Sequence, residues 1–108
     1  EESLKLAERA FNFLFDFFRD NEHGGLFWAV DYTGKPKSTR KQVYGIAFTI
    51  YGLSEFYKAN KSELALSWAK ELFQLIENYS FDEEFGGYFE AFSRDWKIID
   101  DLRLSEKD

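Results

Sequence analysis

The chain has 108 residues, a net charge of −6 and no cysteine, and 20% of its residues are aromatic. This length allows one domain at most, the aromatic content excludes disorder, and the absence of cysteine excludes disulfides and thiolate metal sites. An acidic chain without a basic cluster also argues against nucleic acids and anionic membranes as partners.

No segment is apolar enough to span a membrane, and from the sequence we expect no signal peptide. The lack of thiols fits a reducing compartment, so we expect a cytoplasmic protein. The sequence has no initiator methionine, and we expect both of its ends to lie within a longer polypeptide.

Residues 3–20 are predicted to form the first helix, because apolar side chains recur along them at helical spacing. The helix should end at residues 21–25, where Gly24 and Gly25 can take the positive φ of a helix stop or tight turn. Residues 26–32 (LFWAVDY) then predict a short strand, followed by a turn at residues 33–35 and the only proline, Pro36.

The central element is residues 39–57, TRKQVYGIAFTIYGLSEFY, predicted to be a helix that Thr39 and Gln42 cap and that ends near Lys58. One side is apolar (Val43, Ile46, Ile50, Leu53 and Tyr57). Almost opposite lies a mixed stripe of Lys41, Tyr44, Phe48, Tyr51 and Glu55. Gly45 and Gly52 cost helix stability, so they indicate close packing by a neighbour. The pattern predicts an inner helix of a helical ring, with the stripe facing the cavity.

Residues 61–79 predict another helix, capped at Asn60 with Glu63 three residues on. Its apolar pattern is one-sided, as in the outer layer of such a ring. A second Gly-Gly pair leads to a predicted strand at 88–93, a turn at 94–95 and a return through 96–99. We predict no regular structure for the polar residues 100–108.

The sequence repeats itself at an offset of 62 residues. Residues 4–35 aligned on residues 66–97 give ten identities in 32 pairs, among them Asp20 with Asp82 and both Gly-Gly pairs. Each unit would consist of an outer helix, a Gly-Gly loop, a short strand with its turn, and an inner helix. The chain, residues 1–108, would then be a single partial domain of about one and a half units.

Four segments resemble one family: GGLFWAVDYTGKP, TRKQVYGIAFTIYGLSEFYKA, FGGYFEAFSRDWK and LRLSEKD. In order and spacing they are similar to the N-acylglucosamine 2-epimerase family, closest to its cellobiose 2-epimerase branch. The resemblance implies a segment of an (α/α)6 barrel with short β-hairpins in its loops. It also implies epimerisation at C2 of a glucose-configured reducing sugar to its manno form, without an external cofactor. The chain departs from the family at Ile46, where a Gln is common.

Inverting C2 requires two acid/base groups on opposite faces of the sugar, a role that suits histidine. This chain has one histidine, His23, which we interpret as a loop residue. The resemblance implies that the catalytic histidines lie on later helices, so this segment should be inactive alone and should supply barrel wall and part of the sugar site.

The resemblance implies that Tyr44 contacts the substrate, a monosaccharide or disaccharide. Lys41, Tyr51 and Glu55 share its stripe and are further candidates for sugar binding, although such residues often bind only water. Trp28 and Trp96 could stack on a sugar, but aromatic side chains in hairpins more often hold the hairpin to the helices.

Other patterns give weaker alternatives. The adjacent acids Asp82, Glu83 and Glu84 are more typical of a solvated loop than of a metal site. Asp31 and Asp95 would suggest a glycosidase, although two carboxylates alone are weak evidence. A non-catalytic helical module and a fragment of an (α/α)6 glycosidase therefore stay open. The remaining partner is the rest of the barrel, or a second copy bound through the flanks of the inner helix.

Overall fold

The computed structural model describes residues 2–84 and 86–99, and helices make up most of this part of the chain. The α-helices are α1 at Glu2–Phe13, α2 at Val43–Asn60 and α3 at Glu63–Leu75. Four short strands lie between or after them: β1 at Ala29–Val30, β2 at Pro36–Ser38, β3 at Lys41–Gln42 and β4 at Ala91–Phe92. The predicted class, helical with short strands in the connections, is confirmed. None of the described helices has both the length and the apolar character to cross a membrane.

Two of the helices end in a wider turn. A π-helical turn at Leu14–Phe18 continues α1, and another at Ile76–Ser80 continues α3, so the helices predicted at 3–20 and 61–79 are confirmed to within a few residues. The cap of α3 is Ser62, whose hydroxyl oxygen accepts from the Ala65 N–H at 3.2 Å. Asn60, the predicted cap, instead accepts from the Ser62 N–H.

The start of α2 differs from the prediction. Gln42 is the N-cap residue, in extended conformation and without a side-chain capping bond, so the capping box at Thr39 is wrong. The reason is a long-range pairing: β3 runs antiparallel to β4, with Gln42 opposite Ala91, and the Val43 N–H donates to the Glu90 carbonyl at 3.0 Å. Local capping signals carry no information about a partner that lies so far along the chain.

Strands β1 and β2 form the predicted hairpin, shorter than the sequence suggested. Its turn is held by the Asp31 carboxylate, which accepts from the Thr33 N–H, the Thr33 hydroxyl and the Lys35 N–H. Gly34 lies in this turn at φ +91°, and a Cβ there would be 2.4 Å from the Phe17 ring. The return predicted after β4 is reduced to one bridge, between Phe92 and Ile98. Residues 100–108 lie outside the described residues.

The two halves of the sequence repeat have the same local backbone. Asp20 donates its N–H to Gly25 and Asp82 donates its N–H to Gly87, both at 3.0 Å. The bridges Arg19–Leu26 and Phe81–Tyr88 and the two π-helical turns also stand at the offset of 62 residues. The match extends to the second hairpin turn, where Trp96 takes φ +68° at the place of Gly34.

The core lies mainly between α2 and α3, and α1 and β4 also contribute buried side chains to it. Its buried residues are Phe11, Leu26, Ile46, Leu53, Ala65, Trp68, Ala69, Leu72, Ile76, Phe92 and Trp96. From the predicted apolar side of α2, Ile46 and Leu53 are buried, and Val43 and Ile50 are packed against them. That side of the helix is therefore confirmed as the one that faces the core.

The two glycines of α2 differ in their surroundings, which gives a matched pair of variants. At Gly52 a Cβ would meet no heavy atom within 4 Å, so Gly52→Ala should stabilise the chain by up to about 1 kcal/mol through its helix propensity. At Gly45 the Cβ would lie 3.0 Å from the Trp28 ring, so Gly45→Ala should gain less or lose stability. Thermal unfolding followed by circular dichroism measures both, and equal rises in melting temperature would contradict the assignment.

Candidate functional site

A buried ammonium group stands at the entrance to α2. The Lys41 side chain is 0% exposed, and its Nζ donates to Asp20 Oδ2 at 3.0 Å, to the Gly24 carbonyl at 2.6 Å and to the Arg94 carbonyl at 2.9 Å. Three acceptor oxygens require three hydrogens on the nitrogen, so this geometry selects the protonated amine. One side chain therefore joins the first Gly-Gly loop, the second hairpin turn and the start of α2.

The Asp20 carboxylate is the centre of this cluster. Besides Lys41, it accepts a two-pronged bond from Arg94, at 3.0 Å from Nε and 3.2 Å from Nη2. Its Oδ1 also accepts from the backbone N–H groups of Glu22 and His23. Both oxygens thus have partners of opposite charge or polarity, as a buried carboxylate requires.

These contacts set the ionisation of the cluster. Burial by itself would raise the pKa of Asp20, but the hydrogen bonds from Arg94, the His23 backbone and Lys41 outweigh it and hold that pKa well below its usual range. Burial lowers the pKa of Lys41, and the hydrogen bond and charge of Asp20 oppose that effect. The hydrogen bond to Asp20 raises the pKa of Arg94.

Trp96 covers the cluster. Its ring lies 4.8 Å from the Lys41 ammonium and stacks on Tyr79 at 4.8 Å, and its Nε1 donates to the His23 carbonyl at 2.7 Å. A Cβ on Gly25 would lie 2.8 Å from this ring, and Gly25 has φ +79°, so the second glycine of the loop is needed for close approach as well as for conformation. Trp96 is a structural residue, and its buried ring has no face left for a sugar.

A second polar feature is the exposed stripe of α2. Tyr44, Phe48 and Tyr51 are 53%, 60% and 66% exposed, and the Glu55 carboxylate stands beyond them with a long contact of 3.7 Å to Lys58. The rings of Tyr44 and Phe48 meet edge to face at 4.9 Å. Among residues 2–84 and 86–99, no protein group hydrogen-bonds the Tyr44 hydroxyl, which leaves it available to a ligand.

The structure therefore divides the predicted site residues into two groups. Tyr44, Tyr51 and Glu55 share the exposed stripe, as their spacing predicted. The prediction that Lys41 lies on the same stripe is wrong, because Lys41 precedes the helix and its side chain turns inward to Asp20. The sequence analysis missed Asp20 and Arg94 as members of a cluster. The one available signal was that an aspartate, Asp20 or Asp82, stands four residues before each Gly-Gly pair.

The weaker candidates lie outside the exposed stripe. Trp28 lies beside Gly45, and the His23 imidazole, about one-third exposed, lies 2.9 Å from the Glu22 carboxylate. The Asp82 carboxylate accepts from the Glu84 N–H within its own loop. No group of three potential metal ligands occurs within residues 2–84 and 86–99.

Comparison with known proteins identifies the family of this chain. A sequence model of the N-acylglucosamine 2-epimerase (GlcNAc 2-epimerase) family matches residues 1–105. The chain belongs to this family. The resemblance of its four motifs to N-acylglucosamine 2-epimerases is thereby confirmed.

Relatives within the family are similar over the whole chain. The cellobiose 2-epimerase of Bacteroides fragilis is 50% identical over 108 residues, which are 100% of this chain and 28% of that protein. A cellobiose 2-epimerase of Ruminococcus albus is 43% identical over 106 residues, 98% of this chain and 27% of that protein. The solved cellobiose 2-epimerase of Bacillus thermoamylovorans B4167 matches with a TM-score of 0.91 at 41% identity, covering 99% of this chain and 28% of that one. The chain thus spans about a quarter of the length of these relatives.

The charge cluster predicts how stability depends on pH. Because folding lowers the pKa of Asp20, the unfolded chain binds a proton more readily, so the free energy of unfolding should be intact above about pH 4 and fall as the pH drops further. Asp20→Asn leaves two cations without their counter-charge and should cost about 3–5 kcal/mol at pH 6, with a shallower decline in acid. Urea unfolding between pH 6 and pH 2.5 measures both effects.

The control is Asp16→Asn, which removes an exposed carboxylate and should keep the wild-type decline. If Asp20→Asn fails to fold, Arg94→Met replaces it: without the guanidinium the pKa of Asp20 in the folded chain rises toward its unfolded value, so the decline in acid should become shallower. An unchanged stability and slope in these variants would contradict the role given to the cluster.

Proposed function

We propose that this chain is part of a sugar 2-epimerase that interconverts glucose- and mannose-configured reducing ends, of the cellobiose or N-acylglucosamine type. The observation that carries the proposal is the exposed stripe of α2, with its phenols and carboxylate, in a chain of the 2-epimerase family. The reaction removes the proton at C2 and returns one to the opposite face, so no electrons are transferred and the proposal includes no cofactor. A cytoplasmic location stays a prediction.

In this proposal residues 1–108 are a partial domain, about one and a half helical-hairpin units of an (α/α)6 barrel. Helix α2 is an inner helix, and α1 and α3 belong to the outer layer. The segment supplies wall and part of the sugar site, while the catalytic histidines belong to the remainder of the barrel. His23 supports this division, because one loop imidazole paired with Glu22 cannot serve both faces of a sugar.

Within the stripe, Tyr44 is the proposed sugar contact, with Tyr51 and Glu55 further along the same face. Aromatic rings beside hydroxyl and carboxylate groups suit a sugar, because its C–H faces pack on rings while its hydroxyls donate and accept hydrogen bonds. Lys41 enters the proposal only indirectly, since its ammonium is fully occupied by Asp20 and two carbonyl groups.

The glycosidase alternative is weaker on electrostatic grounds. A glycosidase acid needs a raised pKa, so that it holds a proton to give to the leaving group. The hydrogen bonds from Thr33 lower the pKa of Asp31, and the bond from the Ser93 hydroxyl lowers the pKa of Asp95. Both carboxylates close hairpin turns and lack the environment of a general acid.

Activity can be tested in a chimera in which this chain replaces the matching 108 residues of the Bacteroides fragilis cellobiose 2-epimerase. We expect the chimera to epimerise cellobiose and the separate chain to show no activity. Tyr44→Phe in the chimera should keep the fold and lower kcat/KM by about 2- to 12-fold, the range expected for one lost hydrogen bond of about 0.5–1.5 kcal/mol.

Phe48→Leu measures the separate effect of ring packing, since it changes the aromatic side chain in contact with Tyr44 without removing a hydrogen-bonding group. Conversion of cellobiose by the separate chain, or a folded chimera without activity, would refute the proposed division of labour. An unchanged kcat/KM in Tyr44→Phe beside a lowered melting temperature would make Tyr44 a structural residue.

The barrel proposal also gives the groove between α1 and α2 an occupant. This apolar groove has a volume of about 310 Å³ and includes Phe11, Phe48, Gly52 and Phe56 in its lining. We assign it to another helix of the same barrel, because the relatives extend well beyond the matched segment and Gly52 allows a close approach. A second copy of the chain is the alternative occupant.

Gly52→Ala distinguishes these cases. In the chimera a helix packed on Gly52 should make the variant less stable, the reverse of the stabilisation expected in the separate chain. The melting temperatures of the two pairs measure this reversal. Stabilisation in both would contradict the packing of a helix at Gly52, and a concentration-dependent dimer of the separate chain in light scattering, abolished by Gly52→Ala, would favour the second copy.

A further inference from the structure

We propose that the buried cluster of Asp20, Lys41 and Arg94 is a positioning device for Tyr44. It holds the first turn of α2 in a fixed position relative to the first Gly-Gly loop and the second hairpin turn. The inference rests on the proposed role of Tyr44 in sugar binding, and it assigns to Lys41, which does not reach the exposed stripe, an indirect part in the same site.

The start of α2 is held by backbone hydrogen bonds and by the side chain of Lys41. On the backbone side, β3 pairs with β4, and the Val43 N–H donates to the Glu90 carbonyl of the second repeat at 3.0 Å. On the side-chain side, the Lys41 ammonium reaches the first loop at Asp20 and Gly24. Tyr44 follows one residue after Val43, so its ring is placed by whatever fixes these bonds.

Arg94 links the same points again. Its backbone carbonyl accepts a hydrogen bond from Lys41, and its guanidinium donates to both carboxylate oxygens of Asp20. Lys41 and Arg94 thus bind one carboxylate from different repeats. A displacement of either repeat relative to the other must stretch several of these bonds at once, so the cluster fixes the repeats against each other.

The chemistry of the cluster favours positioning over bulk stability. A buried ion pair is often no more stabilising than apolar side chains of the same volume, because burial removes both charges from water. Its bonds are nevertheless directional and short, whereas apolar packing tolerates sliding. Lys41 is fully buried just before α2 begins. Its burial is explained if the sugar contact of Tyr44, about one turn later, depends on the axial position and rotation of that helix.

Hydrogen–deuterium exchange of the 108-residue chain tests the device without any activity. Lys41→Met removes the ammonium but keeps an unbranched apolar side chain. We expect the exchange of the Val43 amide to accelerate at least about tenfold relative to that of Leu53 in the middle of α2, since a hydrogen bond to a charged group is lost. Leu72→Ala, a core variant in α3 far from the cluster, should accelerate both amides by the same factor.

Arg94→Met keeps the test decisive if Lys41→Met does not fold, because the Arg94 side chain is partly exposed and its backbone carbonyl remains. It should accelerate Val43 in the same selective way, by a smaller factor. Uniform acceleration along α2 in the cluster variants, or none, would overturn the proposal.

Kinetics of the chimera test whether the device acts through Tyr44. Lys41→Met should lower kcat/KM by about 2- to 12-fold, mainly through KM, and the double variant Lys41→Met/Tyr44→Phe should lose no more than Tyr44→Phe alone. Losses that multiply would overturn action through Tyr44. If Tyr44→Phe changes no kinetic constant, the proposed sugar contact fails, and the exchange experiment still decides whether the cluster fixes the turn.

Discussion

A carboxylate that is 2% exposed must find partners for both oxygens, and five hydrogen bonds meet at Asp20. Its partners come from its own loop, from the strand before α2 and from the hairpin of the second repeat. This single requirement explains several features together: the inward course of Lys41, the two-pronged bond of Arg94, and the stacking of Trp96 over the ammonium. The loops on this side of the molecule are arranged around one buried negative charge.

Periodicity predicted the helices well, because each of them buries one continuous face. The apolar side of α2 and the one-sided α3 were recognisable from residues such as Ile46, Leu53 and Leu72. The start of α2 was not predictable, because the β3–β4 pairing that delays it joins segments far apart in the sequence. Lys41 was misplaced for the same reason: helical spacing places a lysine on a stripe, and only the fold brings Asp20 and Arg94 within reach of it. Tyr44, Tyr51 and Glu55 were placed correctly on one exposed face because that face is local to a single helix.

The repeat explains how the chain builds similar loops from different residues. Backbone bonds around Asp20 recur around Asp82, so the loop conformation is carried by the Asp and Gly-Gly pattern. The side chains then diverge: Trp96 occupies a left-handed position that Gly34 fills in the first hairpin, and its buried ring seals the cluster. No residue of the α2 stripe takes part in the hydrogen bonds to Asp20 or to the Lys41 ammonium, and the side chains of Tyr44 and Tyr51 remain more than half exposed.

The most direct test of the buried cluster is nitrogen NMR of lysine ammonium groups in the 108-residue chain. Hydrogens on exposed lysines exchange with water too fast to be seen at neutral pH, whereas an ammonium buried with three acceptors is protected. We predict one slowly exchanging NH3 signal near pH 7, which disappears in Lys41→Met and persists in the surface variant Lys70→Met. A spectrum in which every lysine exchanges rapidly would contradict the account.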